Sequence, residues 1–435
     1  MSLRFPSALA AAVLCYSFTL NLAAQQPSPE PSTPPESVEA AESEAAPAPE
    51  SPDEFLEPRE SSISLGKQEG FGIGNAIPDP TALNGPDRYE TVLDGSVRDS
   101  TFSVTGHYIY RPAENQRFLF QADIDPTFLG ADLSYAWKPE GWKGALTANM
   151  FMSSAHFSPF TDQTPIVRLP NLEEPYLQQG GFGLEYAQPL TENFDLAVAL
   201  NYQNFAFSDS LLGGKRYARD FTGTPLALGG NGTGDLYTLA LAGVYETFDQ
   251  PEDPHQGTKI RFGLEQAFDL GNASAAYNRL AANLTQVVPM PGFNDGQHSL
   301  LVNLQAGTIL GGGVPQLRGF HLGGPFSVRG YELGEMASGT SFAQGSLEYR
   351  HHLTSFSIAD HDIDLRAAAF VDYGTVLGTQ RKLRGVPKYL YDKPDHGTGY
   401  GFGLNFATDF GLLRLETAWT NDGNQSTYFT IGERF

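Results

Sequence analysis

Short segments in which apolar and polar side chains alternate recur from residue 88 to Phe435, and they constrain the fold more than any other feature. Alternation with a period of two predicts β-strands whose two faces meet different surroundings. The segments are about nine to eleven residues long, the length that a tilted strand needs to cross a bilayer. Beyond residue 24 no run approaches the roughly 18 apolar residues of a spanning helix. A membrane-spanning form of this chain would therefore cross as strands.

We predict sixteen strands, at residues 88–97, 100–111, 115–124, 127–137, 142–152, 180–188, 193–206, 235–247, 257–269, 275–288, 297–308, 341–353, 362–374, 398–408, 411–420 and 427–435. An even number lets both ends of an antiparallel barrel lie on one side of the membrane. The long connections, 153–179, 207–234, 309–340 and 375–397, all fall on one side of this barrel. Short turns fall on the other side, such as Pro112-Ala113-Glu114 and Pro189-Leu190-Thr191-Glu192. A soluble sandwich would also alternate, but this asymmetry favours an all-β, transmembrane antiparallel β-barrel over 88–435.

Alternation also assigns charged side chains to the lumen of this barrel. Asp372 shares the polar face of its segment, whereas Val371 and Tyr373 share the apolar face. Arg414 and Glu416 fall on the polar face of segment 411–420. The lumen wall is thus predicted to carry charges of both signs.

The residues before the barrel divide into three segments. Residues 1–24, with Arg4 and an apolar core, have the pattern of a secretory signal peptide. Cys15, the single cysteine, lies within it, so neither a disulfide nor a lipid anchor is expected. Residues 25–60 form an acidic linker rich in Pro, Glu and Ala, which is expected to be disordered. Residues 61–87 are interpreted as a lead-in or partial plug.

The acidic linker accounts for much of the formal net charge of −23. We interpret it as a solvated spacer, with a docking segment for a periplasmic or cell-wall partner as the alternative. So acidic a chain is not expected to bind nucleic acid.

A glycine-rich loop, Phe320–Tyr331, surrounds one arginine, Arg329. Its glycines permit tight or left-handed turns, and the guanidinium cannot lie in lipid. The loop therefore needs a polar interior and an acidic partner, and the best candidate is Asp372 in Phe370-Val371-Asp372-Tyr373-Gly374. The alternative is that Arg329 lies on a surface turn and contacts only water.

These two segments resemble the sixth-loop motif and its strand partner in the barrel-assembly and two-partner-secretion transporters of bacterial outer membranes. This superfamily carries the bacterial surface antigen and haemolysin-activator C-terminal barrel domain. The resemblance implies that the sixth outer loop folds into the lumen as a latch. Its residues would be Gly323, Gly324, Ser327, Val328, Arg329, Gly330 and Tyr331. The wall partners would be Phe370, Asp372, Gly374, Glu348 and Arg350.

The resemblance also carries expectations about location and partners. The barrel would sit in the bacterial outer membrane, in contact with its lipid, with the N-terminal segment in the periplasm. Phe435 would be the C-terminal signal read by the barrel-assembly machinery. No segment resembles the periplasmic receptor repeats of these transporters, so a periplasmic or surface protein is expected to replace them.

The sequence shows no recognisable catalytic motif. It contains no His-Glu-x-x-His, phosphate-binding loop or Gly-x-Ser-x-Gly, so we expect no enzyme activity, no catalytic residue and no cofactor. His351 and His352 are adjacent on a predicted strand and face opposite sides, so no metal site is predicted either.

Three functions stay open. The first is translocation or membrane insertion of a polypeptide or lipid through a barrel latched by Arg329 and Asp372. The second is a largely plugged barrel that anchors another envelope or surface protein, and the third is a passive diffusion pore.

Overall fold

The alternating segments fold as β-strands in the computed structural model of this chain. It describes residues 89–96, 101–113, 115–125, 128–156, 168–250, 253–270, 275–290, 298–314, 318–331, 334–358, 361–379, 382–383, 394–408 and 411–431. The predicted signal peptide (1–24), acidic linker (25–60), lead-in (61–87) and terminal Phe435 lie outside these residues. Within the described ranges, no helix has the length and apolar character needed to cross a membrane.

The strands are β1 (Tyr89–Ser96), β2 (Thr101–Ala113), β3 (Gln116–Asp125), β4 (Phe128–Trp137), β5 (Ala145–His156), β6 (Tyr176–Thr191), β7 (Phe194–Ser208), β8 (Thr233–Glu246), β9 (Gly257–Phe268), β10 (Tyr277–Pro289), β11 (His298–Gly311), β12 (Phe320–Leu322), β13 (Ala337–Gly339), β14 (Ser341–Ile358), β15 (His361–Thr375), β16 (His396–Thr408), β17 (Gly411–Thr420) and β18 (Gln425–Ile431).

One antiparallel sheet contains every strand of the described residues except β12 and β13. Each strand pairs with its neighbour in sequence, and β11 lies beside β14. β1 pairs with β2 along its length, and within the described residues it pairs with β18 at Gly95↔Phe429 and Ser96↔Tyr428. The predicted class, an all-β antiparallel barrel, is confirmed. The number of sixteen strands stays a prediction for the whole chain.

The two faces of the sheet differ as alternation predicts. On β15, Val371 and Tyr373 are 43% and 49% exposed on the outer face, whereas Phe370 and Asp372 are buried on the lumen side. The largest fully buried side chains include four arginines, Arg279, Arg329, Arg350 and Arg414. Apolar residues outside and charges inside reverse the order of a soluble protein, and this arrangement suits a barrel surrounded by lipid.

The structure places some residues of two predicted inner turns within strands. Pro112 and Ala113 belong to β2, and Pro189 to Thr191 belong to β6. The register shifts at both places, between Tyr110 and Ala113 and between Pro189 and Thr191. Proline has no N–H for the ladder, so a bulge at the end of a strand accommodates it.

The connection between β11 and β14, residues 312–340, is called the inner loop below. It contains β12 and β13, which pair at Phe320↔Gly339, His321↔Ser338 and Leu322↔Ala337. The sequence analysis predicted no strand there. Apolar side chains of the loop join the main buried cluster, among them Phe320, Leu322, Val328, Tyr331 and Met336.

Candidate functional site

Arg329, in the inner loop, binds Asp372 of β15 through three hydrogen bonds. Its Nε donates to Oδ2 at 2.7 Å and its Nη2 donates to Oδ1 at 2.9 Å. The backbone N–H of Arg329 also donates to Oδ2, at 3.1 Å. The two side chains form a bidentate pair, the geometry that fixes direction as well as charge.

Two further carboxylates approach the same guanidinium from other strands. Nη1 of Arg329 lies 2.8 Å from Oε2 of Glu348 on β14 and 2.6 Å from Oε1 of Glu416 on β17. The ring of Phe370 covers one face of the guanidinium, whose carbon lies 3.2 Å from the ring centroid. One loop side chain therefore contacts three strands of the wall.

Two wall arginines complete the charge balance. Nε of Arg350 donates to Oε1 of Glu348 at 2.9 Å, and Nη2 of Arg414 donates to Oε2 of Glu416 at 2.7 Å. We call the set of three arginines and three carboxylates the arginine cluster: Arg329, Arg350, Arg414, Asp372, Glu348 and Glu416. Its side chains are at most 2% exposed.

Balanced charges explain how the cluster stays ionised away from water. Burial alone would lower the pKa of Arg329, but the charges of Asp372 and the two glutamates outweigh it and hold that pKa above its ordinary value. Removing one member of such a buried network typically costs about 3 to 5 kcal/mol, because a charge is left without its partner.

The residues after Arg329 are fixed by β17 and β18. Gly330 has a φ of 99°, and its N–H donates to the hydroxyl of Tyr428 at 2.9 Å. That hydroxyl donates in turn to the carbonyl of Tyr331 at 3.0 Å. The hydroxyl of Tyr331 lies 2.8 Å from Asn421 Oδ1 and 2.7 Å from Asp422 Oδ2, and its one proton is shared between these two acceptors. The tip of the loop is thus attached to the last hairpin of the sheet.

The residues before Arg329 form a turn that depends on two glycines. Gly323 and Gly324 have φ values of 122° and 93°, a region that glycine adopts without strain. Ser327 Oγ accepts from the N–H of Gly323 at 3.2 Å and donates to Gln344 Oε1 of β14 at 2.7 Å. Gly324 N–H donates to the carbonyl of Tyr331 at 2.9 Å. The turn is therefore stabilised by hydrogen bonds within the loop and by one hydrogen bond to strand β14 of the wall.

Glycines on β16 let the loop approach the wall. A β-carbon at Gly399 would overlap the carbonyl oxygen of Arg329, and one at Gly397 would lie 2.6 Å from the hydroxyl of Tyr331. On β15, a β-carbon at Gly374 would lie 2.8 Å from Cγ2 of Val328. Side chains at these positions would occupy the space that the loop fills.

The structure brings most of the sequence-predicted site residues together: Val328, Arg329, Gly330, Tyr331, Phe370, Asp372, Gly374, Glu348 and Arg350. Gly323, Gly324 and Ser327 lie in the adjoining turn. The sequence analysis missed the contact of Glu416 with Arg329, the role of Tyr428 and the glycines of β16. The run Gly397-Thr398-Gly399-Tyr400-Gly401-Phe402-Gly403, in which glycine takes every second place, was the available signal.

Residues 137–435 match the family model of the Omp85 superfamily domain. The chain is 30% identical over 252 residues to outer envelope protein 80, chloroplastic, of Oryza sativa subsp. japonica. That alignment covers 58% of this chain and 35% of the rice protein, so the chain spans about a third of that relative's length.

Two solved structures share the fold. BamA from Haemophilus ducreyi, lacking POTRA domains 1–3, aligns with a TM-score of 0.58 and 14% identity, over 80% of this chain and 75% of that one. CdiB from Escherichia coli aligns with a TM-score of 0.50 and 11% identity, over 85% of this chain and 74% of that one. At these identities the likeness shows the fold alone.

Proposed function

Because this chain belongs to the Omp85 superfamily, we propose that it is an outer-membrane barrel that translocates a polypeptide or lipid substrate or inserts it into the membrane. Members of the superfamily mediate insertion of proteins into membranes or their translocation across them. Barrels of this kind sit in the outer membranes of bacteria or in chloroplast envelopes. We assign this chain to a bacterial outer membrane, with residues 1–24 as its signal peptide and the following segment in the periplasm.

The observation that carries the proposal is the attachment of the inner loop to the wall through Arg329. Its guanidinium joins strands β14, β15 and β17, and its carbonyl rests against Gly399 of β16. A loop held in this way works as a latch that blocks the lumen at rest. Substrate passage would accompany its release.

The pairing of the first and last strands also supports a lateral route, in which a substrate leaves the lumen between β1 and β18 and enters the membrane. Among the described residues, β1 and β18 share two residue pairs, whereas β17 and β18 share seven. Fewer contacts between described residues have to break where β1 meets β18, which favours separation of the wall at that place. We propose that insertion of a substrate uses this opening.

The partners follow from the same assignment. The outer face contacts lipid, the barrel-assembly machinery acts on Phe435 during biogenesis, and a periplasmic or surface protein supplies substrate capture. The alternative is a plugged barrel that anchors another protein, because a filled lumen suits an anchor as well as a transporter.

Deleting residues 26–60 separates transport from anchoring. Loss of partner binding with unchanged transport would assign the linker a binding role of its own.

Single-channel conductance in planar bilayers tests the proposal. We expect low current from the wild-type barrel, and larger or unstable current from Arg329→Ala and Asp372→Ala. Arg219→Ala is the matched control, because Arg219 is an exposed arginine of the β7–β8 connection that bonds to Gly223. A steady, large current that neither variant alters would contradict the latch and indicate a passive pore.

A further inference from the structure

The inner loop is attached to the wall at a second arginine, Arg318, eleven residues before Arg329. Arg318 forms an ion pair with Glu265 of β9, and its Nε donates to the hydroxyl of Tyr277 on β10 at 2.9 Å. That hydroxyl donates to Oε1 of Glu265 at 2.9 Å, which closes a triangle of contacts. All three side chains are buried.

Aromatic packing extends this second attachment. The ring of Phe320, two residues after Arg318, lies 4.5 Å from the guanidinium carbon of Arg279 on β10. It also packs on Phe342 of β14, with the ring centroids 4.5 Å apart. A β-carbon at Gly307 on β11 would lie 2.6 Å from the Phe320 ring, so a glycine there makes room for it. The first arm of the loop, residues 318–322, is therefore held against β9, β10, β11 and β14.

The two arginines contact different strands of the wall. Arg318 contacts β9 and β10, whereas Arg329 contacts β14, β15 and β17, and the backbone beyond it reaches β18. No residue of the arginine cluster belongs to the triangle around Arg318. Each attachment has its own carboxylate, so one can break while the other is intact.

We propose that Arg318 is a second positioning residue of the inner loop, which holds the first arm in the lumen when Arg329 leaves its cluster. Release of Arg329 then frees the tip of the loop and opens the lumen in part. Full opening requires both attachments to break. This inference rests on the proposed translocation function for its meaning, but not for its test.

The chemistry of Arg318 allows a conservative variant. Its fork places Nε on Tyr277 and Nη2 on Glu265, so two donors point in different directions. Lysine keeps the charge but carries one compact ammonium group that cannot reproduce this fork. Arg318→Lys should therefore retain part of the attachment, and Arg318→Ala should lose all of it.

The first experiment measures loop position without any transport. Ser327→Cys places a thiol in the turn of the loop, at a site that is 6% exposed when the loop is docked. In Arg329→Ala, where the tip of the loop is free, we expect the rate of labelling by a water-soluble thiol reagent to rise about five-fold further when Arg318→Ala is added and less when Arg318→Lys is added, because a locally opened segment exposes the thiol. Lys259→Ala, added to the same variant, is the control, since its ion pair with Glu246 joins β9 to β8.

The second experiment measures conductance of Arg318→Ala, Arg329→Ala and the double variant. We expect each single variant to give partial openings, and the double variant to give a larger current than either one. A double variant indistinguishable from Arg329→Ala in both current and labelling would overturn the inference. If labelling changes but no variant conducts a current, the role of Arg318 in positioning the loop would be supported and the transport function would be refuted.

Discussion

The carbonyl oxygen of Arg329 lies against the α-carbon of Gly399, so close that no β-carbon fits between them. The inner loop thus meets the wall backbone to backbone at the residue that carries the guanidinium. Gly399 pairs with Asp372 of β15 in the sheet register, so the contact and the carboxylate lie side by side. The absence of a side chain at Gly399 thus lets the backbone of Arg329 approach the strand that pairs with Asp372.

Gly399→Ala should weaken the attachment of the loop, because the added methyl group displaces Arg329 from its carboxylates. Overpacking of this kind costs about 1 to 3 kcal/mol. We expect labelling of Ser327→Cys to accelerate in this variant. Gly230→Ala is the control, since a β-carbon at Gly230 meets no atom within 4 Å. Equal labelling rates in the two variants would show that the close approach is not needed.

Tyr428→Phe should lower the free energy of unfolding by about 1 to 3 kcal/mol, because it leaves the Gly330 N–H and the Tyr331 carbonyl without their bond to the hydroxyl. Equilibrium unfolding in urea, from lipid vesicles, measures this loss. Tyr400→Phe, at a residue 51% exposed on the outer face, should change the free energy little. A similar loss of free energy of unfolding in Tyr428→Phe and Tyr400→Phe would assign the effect to the sheet and not to the attachment of the loop.

Glu185 of β6 is 1% exposed, and neither of its carboxylate oxygens has a hydrogen-bond partner in the part of the chain that the structure describes. Replacing it by leucine removes a buried polar group that gains nothing in return, so Glu185→Leu should raise the free energy of unfolding. Glu348→Leu is the matched substitution within the arginine cluster, and it should lower that free energy by about 3 to 5 kcal/mol. The same urea titration compares them, and equal losses of stability in the two variants would contradict this difference between a paired and an unpaired carboxylate.

The turn between β8 and β9 should loosen in acid. Burial opposes ionisation of Asp249, but the N–H groups of Gln256, His255 and Gln250 donate to its carboxylate and hold its pKa below the ordinary value. A lowered folded-state pKa stabilises the turn above the unfolded pKa near 3.9, and this contribution is lost as pH falls through the folded value. The protection of the amides of residues 255 and 256, measured as the ratio of the intrinsic to the observed exchange rate, should therefore be high at neutral pH and fall below about pH 4.

Asp249→Asn supplies the comparison for that titration. The neutral amide accepts weaker hydrogen bonds, so exchange at these two residues should be faster than in the wild type at neutral pH. In the variant, the protection of these two amides should also no longer fall in acid. A fall of equal size in the variant would assign the pH dependence to another group.

Alternation along the strands was sufficient to predict the barrel and the inward direction of Asp372, Arg414 and Glu416, because the period of two is a local property. It could not predict that Glu416 meets Arg329, since the two are 87 residues apart and no motif joins them. Arg318 and Glu265 are 53 residues apart and were missed for the same reason. The strands β12 and β13 have three residues each, too few to show alternation.

Arg329 lies in the chain well before its carboxylate partners, and Glu416 is near the end of the described sequence. The contact between Arg329 and Glu416 therefore spans 87 residues of chain, and it needs β17 to be paired into the wall. β17 contributes one arginine and one glutamate, so the buried set of charges is neutral with or without that strand. The docked loop thus gains its last ion pair from the penultimate described strand without adding net charge to the interior.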